Sequence, residues 1–159
     1  MTRTLVIGVG NPDCGDDAVG IEVARRLLAR GLRDASVRQS PRNASRLLES
    51  WQGRARVILI DAAAGAGRPG AIYRFEADAG PLPVSRLQAS THSWGVVEAV
   101  EVARSLGELP ASVVVYAIEG TSFGPGQRLS ASVRRAAKRV ERRVLEEIGH
   151  PASRAEGRE

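Results

Sequence analysis

A chain of 159 residues, 43% hydrophobic and 26% charged, fits a single compact domain with a core of its own and no need of cross-links. It holds no apolar run near the roughly 18 residues of a membrane span, and its single cysteine, Cys14, excludes an internal disulfide, as expected of a cytoplasmic protein. The net charge is +5, but Arg134, Arg135, Arg139, Arg142 and Arg143 alternate with Glu141, Glu146 and Glu147, and aromatics are only 4%. That pattern is a solvated helix face, so neither nucleic acid nor membrane is expected as a partner.

The opening MTRTLVIGVGN is too short in its apolar part for a secretory leader and runs directly into Gly-Asn-Pro-Asp. Thr4 to Val9 reads as a buried, parallel strand. Asp16 to Arg30, with Val19, Val23, Leu27 and Leu28 on one side, predicts an amphipathic helix. A weaker strand at Ala35–Arg38 precedes a short helix, Asn43–Trp51, with Asn43 as its N-cap. Arg56–Ile60 is a second strong strand and stops at Asp61. The glycine-rich link that follows is too short for a helical crossover, so the strand Ala71–Phe75 should run antiparallel to its predecessor. His92–Leu106 predicts a helix, Ala111–Ile118 a buried strand, and Ser130–Ile148 a final helix opened by a serine cap. Residues 1–150 thus form one domain, and 151–159 a polar tail expected to fray. Strands alternating with helices predict a three-layer α/β/α sandwich with a mostly parallel five-stranded sheet and one antiparallel strand.

In such sheets the working residues lie beyond the C-terminal ends of parallel strands, where the strand order reverses. The loop after the first strand holds Gly8, Gly10, Asn11, Asp13, Asp16 and Asp17; Asp61 ends a second strand; His92 opens a later helix. Gly-x-Gly suggests a dinucleotide site, but Asp13 replaces the third glycine, and three aspartates repel a pyrophosphate. Capping accounts for one aspartate at a helix start, and a turn accounts for Asp61 taken alone. Two carboxylates and an imidazole at one switch point instead suit a divalent metal of the borderline N/O kind. The motifs of zinc peptidases and serine hydrolases are absent, and the carboxylates around Cys14 would raise a thiol pKa, against a cysteine nucleophile.

GVGNPDCGDDAVG, LIDAA, STHSWG and AIEGTSFGPGQRLS, in that order, resemble the hydrogenase maturation endopeptidases from Thr4 to about Ile148. The resemblance implies that Asp17, Asp61 and His92 are both the metal ligands and the catalytic residues of a metal-dependent, aspartic-type endopeptidase. Gly8, Gly10, Asn11 and Asp16 would form the supporting loop. The implied reaction removes a C-terminal extension from the large-subunit precursor of a nickel–iron hydrogenase after nickel insertion. Nickel would be supplied by that substrate, with zinc or cadmium able to substitute, and the enzyme would be a monomer. Many relatives carry a Gly-Gly-Thr type segment where this chain reads Gln39-Ser40-Pro41-Arg42-Asn43; Gln39, Ser40, Arg42 and Asn43 are therefore the candidates for substrate recognition. Two other readings remain open: a module that recognises a metallated precursor without cutting it, and a hydrolase of small molecules on the same scaffold.

Overall fold

Each long apolar run becomes a central strand, as burial on both faces of a parallel sheet requires. The computed structural model describes residues 4–65, 67–83 and 94–149; His92 and the 151–159 segment lie outside the described residues. The first half holds β1 (Thr4–Val9), a 3-10 turn (Gly15–Ala18), α1 (Val19–Leu28), β2 (Ala35–Ser40) and α2 (Ala44–Ser50). The second half holds β3 (Arg56–Ala63), β4 (Ile72–Glu76), α3 (Trp94–Ser105), β5 (Ser112–Glu119) and α4 (Ala131–Gly149). The sheet order is β2-β1-β3-β5-β4, with all pairs parallel except β4 with β5. This is the expected three-layer sandwich. No described helix is long and apolar enough to cross a membrane.

Strand alternation splits the core into two. Val6, Ile58, Ile60, Val114 and Tyr116 pack with α1 and α4 on one face. Leu5, Ile7, Leu59, Val113 and Val115 pack with α2 and α3 on the other. Val19, Val23 and Leu27 of α1 are fully buried; each contributes roughly 1.5–3 kcal/mol by leaving water. The helix lies unusually close to the sheet because Gly8 and Gly20 face each other. A Cβ on Gly8 would stand 2.1 Å from the Gly20 carbonyl oxygen, and one on Gly20 would stand 2.2 Å from that of Ile60.

Several bounds shift by one or two residues, and three further differences from expectation have a long-range reason. The strand expected to stop at Asp61 continues to Ala63, because β5 runs beside it and pairs Asp61 with Ala117 and Ala63 with Glu119. The expected helix at Asp16 begins instead as a 3-10 turn, since the Asp16 N–H is drawn to the Ser122 carbonyl at 2.7 Å. The antiparallel strand runs opposite to β3 as expected but pairs with β5, one position further out.

Candidate functional site

Strand order reverses at β1: the chain moves from β1 out to β2 and returns to β3 on the other side. The crevice between the C-terminal ends of β1 and β3 is therefore the place where this architecture collects functional groups. Asp17 reaches it from the turn after β1, and Asp61 from within β3. By alternation Asp61 shares its sheet face with Leu59 and Ala63, the face covered by α2 and α3. Asp17 and Asp61 are 5% and 4% exposed, so each needs specific partners.

Both find the same one. The Arg42 guanidinium, its side chain only 9% exposed, lies between them. Its Nη2 donates to Asp17 Oδ1 at 2.6 Å and to Asp61 Oδ1 at 2.5 Å; Nε donates to Asp61 Oδ2 at 3.0 Å, and Nη1 to Asp17 Oδ2 at 3.3 Å. Backbone donors complete the shell: Asn11 N–H to Asp17 Oδ2 at 3.2 Å, and Ala62 N–H to Asp61 Oδ1 at 2.8 Å. Burial pushes the Asp61 carboxyl up to about 6, against the pull of Arg42 and the Ala62 N–H in the other direction. Burial likewise opposes the charge on Arg42, but hydrogen bonds and the charges of Asp61 and Asp17 outweigh it and hold the guanidinium above its usual range.

The backbone around this cluster is built for close approach. Gly10 sits at φ +149°, and a Cβ there would come 2.0 Å from the Asp17 carbonyl oxygen. Gly95, in the first turn of α3, lies against Arg42: a Cβ would stand 2.6 Å from Arg42 Cγ and 2.7 Å from its carbonyl carbon. Among the described residues no three His, Cys, Asp or Glu side chains converge as a metal site. Asp17 and Asp61 do converge on a common cation, the guanidinium, so as a pair they fit a single positive centre.

The other candidates have separate places. Asp16 is fully buried and turned away, accepting hydrogen bonds from Thr121 N, Ser122 N, Ser130 N and Ser130 Oγ at 2.8–3.1 Å. Asn11 also holds the turn through its side chain, which accepts from Asp13 N at 2.9 Å. Ser40 ends β2 buried, with its carbonyl accepting from Gly10 N at 3.1 Å. Gln39 is exposed, and Asn43 caps α2 by accepting from Arg46 N at 3.1 Å. Cys14 is a free thiol at the start of the 3-10 turn. Sequence reasoning did not single out Glu119, a 3%-exposed carboxylate at the end of β5 on the Asp61 face. Its Oε1 accepts from Gly67 N at 2.7 Å, and its Oε2 has no partner among the described residues. Its only sequence signal was an acid closing an apolar strand.

A family model described as hydrogenase maturation protease, of the HycI type, matches residues 41–147, more than half of the chain. The chain belongs to the hydrogenase maturation protease family. The matched stretch contains Arg42, Asp61 and His92 and begins after Asp17. No curated protein matches this maturation protease by sequence. Among solved structures it is similar to the hydrogenase maturating endopeptidase HybD of E. coli, at 21% identity and a TM-score of 0.81 over 95% of this chain and 94% of that one. It is also similar to the NiFe hydrogenase maturation protease HybD of Thermococcus kodakarensis, at 22% identity and a TM-score of 0.71 over 91% and 98%. A hydrogenase 2 maturation peptidase from a Thaumarchaeota archaeon is 29% identical, with a TM-score of 0.68 over 93% and 99%. The two likenesses at 21% and 22% identity bear on the fold alone.

Proposed function

We propose that this maturation protease is a nickel-dependent endopeptidase that removes the C-terminal extension of a nickel–iron hydrogenase large-subunit precursor after metal insertion. The observation that carries the reading is the convergence of Asp17 and Asp61 on one cationic centre at the β1/β3 switch point, in a member of this family. Asp17, Asp61 and, by the resemblance, His92 would hold the metal. Two oxygens and one nitrogen with open positions suit Ni²⁺ presented by the precursor, and zinc or cadmium in its place. Held there, a metal would supply Lewis acidity for hydrolysis of the peptide bond.

The chain's own residues perform the rest. The Asn11 and Ala62 N–H groups fix the two carboxylates in orientation. The surrounding apolar face of β1, β3, α2 and α3 limits the water around them, so charge interactions there are stronger than at the surface. Gln39, exposed on the β2 side of the crevice, would meet the precursor, whereas buried Ser40 would support that strand end from within, and the protein would act in the cytoplasm as a monomer.

The Arg42 ion pairs favour one second reading: a module whose carboxylates stay committed to Arg42, and which holds a metallated precursor without cutting it. Intact-mass spectrometry of nickel-loaded and nickel-free precursor, each incubated with wild-type protein and with His92→Ala, separates the two. Loss of a defined C-terminal peptide only with nickel and an intact His92 is the expected result. Nickel-dependent binding with no change of mass would establish the second reading.

A further inference from the structure

Arg42 belongs to the segment in which this chain departs from the Gly-Gly-Thr pattern, and its guanidinium stands where the two carboxylates meet. We infer that Arg42 is an internal latch: a stand-in cation that closes the Asp17/Asp61 site to free divalent ions and withdraws when a metal takes the carboxylates. The inference rests on the proposed metal-dependent reading and specifies how the same site is guarded.

Three features of the geometry carry it. Nη2 is within 2.6 Å of an oxygen from each aspartate, so a metal bound by both carboxylates and the guanidinium cannot share that position. Every side-chain hydrogen bond of Arg42 among the described residues goes to these two aspartates, so no other hydrogen bond there holds the guanidinium once they are taken. Its chain neighbours Pro41 and Asn43 are exposed, so the side chain is rooted in a surface segment.

Charge gives the exchange its direction. With all three groups ionised, Asp17, Asp61 and Arg42 sum to −1 − 1 + 1 = −1, whereas a divalent ion in place of the guanidinium brings the sum to zero. The forked guanidinium satisfies both carboxylates at rest, which spares the fold two unpaired buried charges. Only a divalent ion both compensates and coordinates them. A site that is mostly latched binds a free ion more weakly in proportion to the open fraction. A metal presented at the crevice by a docked partner has a high local concentration and opens the latch more readily.

The test is calorimetric titration of Ni²⁺ into the metal-free full chain, for wild type, Arg42→Gln and Arg42→Lys. Arg42→Gln removes the cation; Arg42→Lys keeps a charge but loses the fork that spans both carboxylates. The expected result is a Kd lower by roughly tenfold or more for Arg42→Gln, as for a site latched about nine-tenths of the time. Arg42→Lys should fall between it and wild type, and adding Asp61→Asn to Arg42→Gln should abolish the gain. Should Arg42→Gln fail to fold without metal, a lower Kd for Arg42→Lys still supports the latch, and an unchanged or higher one overturns it. Equal affinities for wild type and Arg42→Gln would overturn the latch alone, since wild-type cleavage of nickel-loaded precursor would still stand. Absence of nickel binding in every variant, with no cleavage, would overturn the latch and the metal-dependent reading together.

Discussion

Asp16 and Asp17 are adjacent, both buried, and chemically identical, yet they serve different parts of the molecule. Asp16 reaches across more than a hundred residues to Thr121, Ser122 and Ser130, tying the turn after β1 to the loop before α4. Its partners are three backbone N–H groups and a hydroxyl, with no ion pair to its side chain among the described residues. Asp17 faces the crevice and shares Arg42 with Asp61. A buried carboxylate surrounded by fixed neutral donors is a structural tie. One held by a movable cation remains exchangeable, which is what a binding site requires.

The comparison is broken most severely at Asp16. Asp16→Ala leaves three backbone donors and a hydroxyl unpaired in the interior and should cost about 3 kcal/mol or more in urea unfolding. An unchanged midpoint would show that the loop re-solvates at no expense. Asp17→Asn keeps the volume and the Asn11 contact, so its loss of stability should be smaller, while on the proposed metal role precursor processing should fall by about a hundredfold or more, since groups that merely orient a metal ligand are worth about 10–100-fold. Gly10→Ala puts a Cβ against the Asp17 carbonyl at a backbone angle that suits glycine. It should cost about 1–3 kcal/mol and displace Asp17, lowering processing beyond what the melting temperature accounts for.

The smallest effect is expected far from the crevice. Glu141 joins α4 to α1 through Arg26 and Arg30 at 2.6 and 2.7 Å. Burial raises its carboxyl pKa, but Arg30 and then Arg26 more than offset that and hold it below the usual value of 4.5. A depressed folded pKa means stability fully present above 4.5 and lost as the pH falls through the lower folded value. Both arginines are substantially exposed, so the pair contributes no more than about 1 kcal/mol. Glu141→Gln should therefore be slightly less stable than wild type at neutral pH, and the gap should close on acidification below 4.5 in pH-dependent melting.

What could be read from the sequence follows the range of each interaction. TLVIGV, RVILI and SVVVYAI declare buried strands because sheet burial is written in consecutive residues, and Asn43 declares its cap because the bond to Arg46 spans three positions. The meeting of a carboxylate from the first loop with Asp61 follows from the rule that functional groups collect beyond the C-terminal ends of parallel strands, and the family resemblance picks out Asp17 among the loop's aspartates. The unusual segment marks Arg42 as a candidate for substrate recognition and not as the partner of the two carboxylates. Its ion pairs span 25 and 19 residues and depend on β2 and β3 flanking β1, which no local pattern encodes. For the same reason the sequence assigns Asp16 to the supporting loop without naming what it holds: its partners lie more than a hundred residues away.

The most direct test of the account sets the neighbours side by side: C-terminal peptide released from nickel-loaded precursor by Asp16→Asn and by Asp17→Asn, at a temperature where circular dichroism shows both folded. The account predicts release near the wild-type level from Asp16→Asn and none from Asp17→Asn. Processing retained by Asp17→Asn, or lost equally in both, would contradict the assignment of the site.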